Sequence, residues 1–351
     1  MKKNLIALAA VAATGAAFAQ SSVTVYGTID MAVTSIDQGN ERISSLANEG
    51  AISNRIGFRG VENLGGGMSA TFVLEGGYSG DTGAGAGAGG GFSFNRQSTV
   101  GLRGGFGEVR LGRDYTPTFW NHAAYTVFGT NGLGNSVNTF STLGSGSTTT
   151  VRADNAISYF TPTISGFQGQ LMFSFKEADV SNNANEYTGA RLVYNAGPLS
   201  ASIATASEGG TVAPEESFKR TNLGATYDFG VAKAFLFYVE GKYGDRKVKQ
   251  TSVGVTAPVG PGTAKLQYLT AGYNAAATAA APTFDDATHI TMGYDYPLSK
   301  RTVVYGLYSR VSNDGAGTLS VNYVGSGAGV LPGVTPGGSS SGFAIGVRHS
   351  F

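Results

Sequence analysis

The chain has 351 residues, of which 54 are glycine, none is cysteine and only 13% are charged. The lack of cysteine excludes a disulfide-stabilised scaffold, and a formal net charge of +1 gives no basic excess suited to nucleic acid. A mean hydropathy of −0.02, with no apolar run of about 18 residues after the N-terminus, excludes a bundle of membrane helices.

Residues 1–19 have the pattern of a cleaved secretory signal peptide. Lys2 and Lys3 form a basic segment, residues 5–13 are apolar, and Ala17-Phe18-Ala19 fits a small-residue cleavage site. The apolar segment is too short for a stable membrane span, although an N-terminal anchor helix is the alternative interpretation. Loss of the two lysines would leave 22 basic and 23 acidic residues in the mature chain, 20–351.

Segments with a period of two residues recur along the mature chain, as expected for strands with one apolar face. In 23–31 the residues Val, Val, Gly, Ile and Met alternate with Thr, Tyr, Thr and Asp, and 171–176 and 303–310 alternate in the same way. Tyrosines that would suit an aromatic belt at a bilayer interface lie near short turns: Tyr159, Tyr194, Tyr227, Tyr294 and Tyr296.

The connections between these segments alternate between short and long. Short turns rich in glycine and proline lie at 63–67, 104–107, 162–166, 195–198, 228–231, 258–262 and 297–300. Longer polar stretches lie at 37–50, 79–91, 115–150, 177–187, 209–217, 244–247, 274–286 and 312–340. These fifteen connections predict about sixteen strands with both termini on one side, and counts of fourteen or eighteen stay open. Helix is expected only as short turns within 115–150.

The C-terminal segment 341–351 alternates apolar with small or polar residues and ends on Phe351. A closed membrane barrel can end on such a strand, because its last strand must pair with its first. The sequence therefore predicts an all-β fold, a transmembrane antiparallel β-barrel. A soluble all-β secreted protein would explain the alternation but not the pattern of connections.

The chain resembles the Gram-negative general porins of the β-proteobacterial and neisserial type, and the resemblance covers nearly all of it. It rests on the order and spacing of five motifs: SVTVYGTID at 22–30, SNRIGFRG at 53–60, NRQSTVGL at 95–102, FGEVRLGR at 106–113 and GFAIGVRHSF at 342–351. The resemblance implies a barrel domain over 20–351 in the outer membrane, reached through the periplasm. It further implies a homotrimer, a third loop folded into the lumen, and an assembly machinery that reads Phe351 as a signal.

Candidate pore-constriction residues are Arg55, Arg59, Arg96, Arg152 and Asp114. Arg55 and Arg59 lie in the strand phase opposite Ile56 and Phe58, which directs them into the lumen. Arg96 and Arg152 match pore positions of the family. However, the alternation that places Val100 and Leu102 on the lipid face would place Arg96 on the same face. A bulge near Gln97 and Ser98, or a position of Arg96 above the hydrocarbon, would resolve this conflict.

The stretch between Tyr115 and Val151 contains no Asp, Glu, Lys or Arg, so the wall arginines are expected to be unopposed. Its aromatic residues allow it to pack inside the barrel, and an exposed loop is the alternative. A competing interpretation has Asp30, Asp114, Asp154 and Glu108 neutralising the arginines. Each arginine could also be a solvated rim charge or part of an ordinary ion pair.

These features predict a passive diffusion channel for ions and small hydrophilic solutes that prefers anions. An adhesin or surface receptor with loop-mediated binding is the alternative. The three histidines show no metal-binding spacing, so neither an enzyme nor a metal or other cofactor is expected. Expected partners are two further copies of the chain, outer-membrane lipids and lipopolysaccharide, the barrel assembly machinery, and small solutes and anions.

Overall fold

The computed structural model describes residues 22–176, 186–210, 217–321 and 333–351. The predicted signal peptide, 1–19, lies outside the described residues, as do parts of the predicted loops 177–187, 209–217 and 312–340. No helix in the described ranges is long and apolar enough to span a bilayer.

The described strands form one antiparallel sheet that closes on itself through the pairing of its first and last strands. In chain order they are β1 Ser22–Asp37, β2 Arg42–Asn48, β3 Arg55–Gly65, β4 Met68–Gly77, β5 Gln97–Gly104, β6 Gly107–Tyr115, β7 Arg152–Phe160, β8 Phe167–Ser174, β9 Tyr187–Ala196, β10 Leu199–Glu208, β11 Phe218–Asp228, β12 Lys233–Tyr243, β13 Arg246–Val259, β14 Gly262–Tyr273, β15 Ala287–Pro297, β16 Thr302–Asn313 and β17 Ser339–Ser350.

β2 and β3 are two halves of a single barrel strand. The first half of β1 pairs with β3 and its second half pairs with β2, so the barrel has sixteen strands as predicted. The intervening residues 49–54 leave the ladder, beginning at Glu49 with a left-handed φ of 67°. The Asp30 carboxylate accepts hydrogen bonds from the backbone N–H groups of Ala51 (2.9 Å) and Ile52 (2.7 Å). The prediction that 37–50 forms the first loop is therefore wrong for 42–48, which form a strand.

The alternation of side chains follows the two faces of the sheet. In β17, Phe343, Ile345 and Val347 are between 47% and 59% exposed on the outer face, whereas Ala344 is buried on the inner face. At the short turns, the hydroxyls of Tyr159 and Tyr294 donate to backbone carbonyls at 2.7 Å. All seven predicted short turns join neighbouring strands, which confirms their placement.

Two α-helices lie in the described loops, besides the short 3-10 helices Ala88–Gly90 and Ser136–Thr139. Helix α1, Pro117–Ala124, begins after Thr116, whose side chain caps the N–H of Phe119, and proline occupies its first turn. Helix α2, Ala275–Ala280, lies between β14 and β15 and is capped by Asn274. The prediction that helix is confined to 115–150 is therefore wrong. Helix α2 consists of five alanines and one threonine. This composition has a high helix propensity, which an analysis of strand alternation does not detect.

The barrel closes around the C-terminal residue. Thr28 pairs with Ser350, and the backbone groups of Gly27 and Phe351 exchange two hydrogen bonds, of 3.0 and 3.1 Å. A side chain at Gly27 would collide with the Phe351 ring and with the carbonyl oxygen of Arg55. Glycine at this position therefore lets the terminal aromatic ring lie against the first strand.

We expect Gly27→Leu to destabilise this closure, because the added side chain must displace the Phe351 ring or the strand backbone, at about 1–3 kcal/mol. The measurement is the temperature at which the folded, fast-migrating form is lost on gels. Gly272→Leu is the control, since the nearest atom to a Cβ there is 3.8 Å away. Equal melting temperatures for the two variants would contradict the expectation.

Candidate pore constriction

The third loop, residues 116–151, crosses the lumen and is held there largely by neutral side chains of the far wall. Asn222 donates to the Thr118 carbonyl at 2.9 Å, Gln250 to that of Ser136 at 2.8 Å, and Ser309 to that of Leu133 at 3.0 Å. All three wall residues are fully buried. Because these buried polar groups are costly to leave unpaired, the contacts fix the loop against β11–β16. The prediction of an inward-folded loop is confirmed.

The loop leaves a cavity of ≈ 1010 Å³ between itself and the wall. Phe119, Trp120 and Asn131 line it from the loop side, and Tyr26, Ser53 and Tyr115 from the wall. The charged side chains that line it, among the residues described, are five basic and three acidic: Arg55, Arg96, Arg152, Lys265 and Arg348 against Glu49, Glu75 and Asp295. Full ionisation of all eight would give a net charge of +2.

Glu75 is the main anionic partner of the arginines in this cavity. Its carboxylate accepts from Arg96 Nε at 2.7 Å and lies 3.7 Å from Arg55 Nε. The Tyr26 hydroxyl donates to the same carboxylate at 3.1 Å. The expectation that the wall arginines are unopposed is therefore wrong for Arg96 and, more weakly, for Arg55. The neutralising acid lies on β4 of the wall and not on the third loop.

Arg152 and Arg96 converge on the ring of Tyr115. Their guanidinium groups donate to its hydroxyl at 3.0 and 2.6 Å, and the Arg152 guanidinium lies 4.5 Å from the ring centre. The described residues offer Arg152 no acidic partner within ion-pair distance. A neutral aromatic face thus holds a cation in the lumen without cancelling its charge.

Of the five candidate constriction residues, Arg55, Arg96 and Arg152 line one cavity, whereas Arg59 and Asp114 do not. The Arg59 guanidinium lies 5.2 Å from the centre of the Tyr26 ring and is not part of the cavity lining. Asp114 is buried and accepts hydrogen bonds from Gln97 at 2.6 Å and Arg110 at 2.8 Å.

The alternation of side chains along β5 does not determine the direction of Arg96, because Arg96 precedes the first residue of that strand. Its N–H donates to the Glu75 carbonyl, and its side chain lines the cavity. The bulge considered near Gln97 and Ser98 is absent from the pairing of β4 with β5, which is continuous over the described residues.

The acids expected to neutralise the arginines have other partners. Glu108 pairs with Arg103 and Arg110, and Asp154 pairs with Arg113. Asp30 holds the break between β2 and β3 and accepts from the Tyr305 hydroxyl. None of the four candidate acids, Asp114 included, forms an ion pair with Arg55, Arg96 or Arg152 in the described part of the chain.

Sequence reasoning missed four charged residues besides Glu75. Lys265 and Arg348 lie 2.6 and 3.4 Å from the Asp295 carboxylate, and Glu49 lies at the strand break. Glu75 could have been found by alternation, because it follows Phe72 and Leu74 in the opposite phase of β4.

His122 is buried where the third loop meets the wall. Its Nε2 lies 2.7 Å from Ser136 Oγ, and its ring lies 4.6 Å from that of Phe237. Burial, together with the positive charge of Arg220, lowers the pKa of His122 to about 3. The described residues contain no group of three or more His, Cys, Asp or Glu that could hold a metal ion.

We expect acid to loosen the third loop through His122. Between pH 6.5 and about 3, His122 is protonated when the loop has left the wall but neutral when the loop is packed against it. The contribution of neutral His122 to the stability of the packed loop is therefore complete above pH 6.5. Below that pH it falls by about 1.4 kcal/mol for each pH unit. Single-channel current noise should therefore rise between pH 7 and pH 4 in the wild type and less in His122→Gln. His349→Gln, at the exposed end of β17, is the control. Equal pH dependence in all three proteins would contradict this.

Comparison with known proteins agrees with this architecture. Residues 6–316 match the family described as Gram-negative porin. The chain is 40% identical to outer membrane porin protein 32 of Delftia acidovorans over the full length of both chains. It is 32% identical to the major outer membrane protein P.IB of Neisseria gonorrhoeae over 54% of this chain and 53% of that protein.

A solved structure, described as an anion-selective porin from Comamonas acidovorans, superposes with a TM-score of 0.82 at 37% identity, over 95% of this chain and 100% of that one. The resemblance inferred from the motifs is thereby confirmed. The chain belongs to the Gram-negative porin family, whose members are passive channels, and it is a multi-pass β-barrel of the outer membrane.

Proposed function

We propose that this porin is a passive channel for small hydrophilic solutes that prefers anions, with its constriction formed by Arg55, Arg96 and Arg152 opposite the third loop. The observation that carries the proposal is the pair of guanidiniums on Tyr115, of which Arg152 has no acidic partner among the described residues. The similar Comamonas acidovorans protein is itself described as anion-selective, which supports the same preference here.

The excess of cationic side chains in the cavity would act on any permeating ion. Two unit charges at about 4 Å interact by about 1 kcal/mol in bulk water and by several times more beside low-dielectric walls. Glu75 cancels part of this field at Arg96 and Arg55, but the loop contributes no acid to cancel the rest. Anions would therefore be concentrated at the constriction and cations repelled.

Arg59 and Asp114 have supporting roles in this proposal. The Arg59 guanidinium packs on Tyr26, the residue that donates to Glu75. Asp114 pairs with Arg110 beside Gln97 and so organises the wall next to the constriction. Neither residue is expected to meet the permeating ion directly.

The proposal also covers biogenesis and assembly. Residues 1–19 would be removed on export, Phe351 would be read by the barrel assembly machinery, and the mature chain would form a homotrimer in contact with lipids and lipopolysaccharide. No catalytic step is proposed, because the solute need only diffuse through the lumen.

Anion preference can be measured as the zero-current potential across a tenfold KCl gradient in a planar bilayer. The wild type is expected to be more permeable to chloride than to potassium, and Arg55→Ala with Arg152→Ala to lose most of this preference, since two of the five basic side chains that line the cavity are removed. Arg310→Gln is the matched control, because it removes an exposed arginine that does not line the cavity.

A cation-selective wild type, or a double variant as selective as Arg310→Gln, would contradict the assignment of the constriction. A folded protein that gave no stepwise current would instead favour the adhesin or receptor alternative.

The trimer can be tested separately by native mass measurement in mild detergent. We expect the mature chain to appear at three times its own mass, because the similar proteins are porins of the same family and fold. A protein that conducts but is only ever monomeric would contradict the trimer while leaving the channel proposal in place.

A further inference from the structure

Four lysines cluster on the outer face of the barrel, where β11, β12 and β13 approach their long-loop ends. In the sheet register Lys219 is opposite Lys242, and Lys242 is opposite Lys247, so three cations form one row across three strands. Lys249 lies in the next row on the same face of β13. We call Lys219, Lys242, Lys247 and Lys249 the lysine patch.

The lysine patch has more positive charge than its surroundings neutralise. Glu240 lies 2.7 Å from Lys242 and 3.8 Å from Lys249, and it is the only acid in ion-pair contact with the patch in the described part of the chain. Like charges directly opposite each other on neighbouring strands are destabilising. An anion held among the lysines would remove this cost.

A groove of ≈ 640 Å³ adjoins the lysine patch on the same outer face. Its floor consists of small side chains of β9–β11: Thr188, Ala190, Thr205, Ser207 and Thr221. Leu171 and Phe173 of β8 form one side, and Lys219, Glu240 and Lys242 the other. In the register, Phe173, Thr188, Ser207 and Lys219 occupy successive positions of one row. The small residues therefore create a trough between an apolar wall and a cationic one.

Apolar side chains lie on the inner-leaflet side of the patch. Leu223, Leu236 and Val253 on the outer face of the same strands are between 47% and 50% exposed. Since long loops of outer-membrane barrels face the outside, the patch lies where the hydrocarbon of the outer leaflet meets its headgroups. Lysine stems can extend along apolar surface there while the ammonium groups reach the phosphate level.

We propose that the lysine patch and the groove together bind a phosphorylated, acylated lipid of the outer leaflet. Its phosphate contacts Lys219 and Lys242, and one acyl chain lies on the small-residue floor between these lysines and Phe173. The inference rests on the outer-membrane location of the barrel but not on its ion selectivity. Free phosphate would use the lysines alone, whereas the adjoining trough fits the chain that a lipid carries.

The test is native mass spectrometry of the full mature protein in detergent, titrated with purified bisphosphorylated lipid A, its monophosphorylated form, or phosphatidylethanolamine. The wild type should bind the bisphosphorylated lipid most tightly. Lys219→Gln with Lys242→Gln should weaken that binding about tenfold or more, because charge-assisted phosphate contacts are lost. Lys300→Gln with Arg301→Gln, which removes two exposed charges at the opposite end of the barrel, is the control.

A second variant tests the groove without changing its charge. Ala190→Phe fills the floor and should weaken binding of the intact lipid while leaving competition by inorganic phosphate unchanged. The proposal is overturned if the control weakens binding as much as the lysine variant, or if all three lipids bind wild type equally. It is also overturned if Ala190→Phe has no effect, since the ligand would then be a phosphate group alone. Gel migration of the unheated protein establishes that every variant is folded.

Discussion

The requirement that no backbone N–H or C=O remain unpaired in hydrocarbon determines most of this molecule. It explains the closed sheet and the pairing of Gly27 with Phe351, the last residue of the chain. It also explains where the ladder can be interrupted. Residues 49–54 leave the sheet, and the Asp30 carboxylate takes up the N–H groups of Ala51 and Ile52. The interruption is tolerated because protein groups replace the lost strand pairing.

Both neutral and charged wall side chains hold the third loop, and Arg191 and Arg246 each donate to it at 2.9 Å. Neutral amides and hydroxyls, including Asn222, Gln250 and Ser309, hold the third loop in the lumen. The charged groups that line the cavity include Arg96, which is paired with Glu75, and Arg152, which rests on Tyr115. Because the loop itself has no Asp, Glu, Lys or Arg, these contacts hold it firmly without adding any formal charge of the loop to the cavity.

Most of the fold could be predicted from the sequence because alternation and turn residues are local signals. These signals predicted all seven short turns and the number of barrel strands, sixteen. The strand break at 49–54 was not, since it depends on Asp30, which is distant along the chain. Arg55 was placed correctly by parity, but Arg96 lies just before its strand, where parity does not apply. The pairing of Arg96 with Glu75 depends on register, which no single segment encodes.

The composition of the third loop has a consequence for electrical behaviour. Moving one elementary charge through a membrane potential of 100 mV changes the free energy by about 2.3 kcal/mol. The loop has no Asp, Glu, Lys or Arg, and His122, with its pKa lowered to about 3, is neutral at physiological pH. The loop therefore carries no gating charge on its side chains. A membrane voltage acts on no formal charge there, and any voltage sensitivity of this channel must originate in charged groups outside this loop.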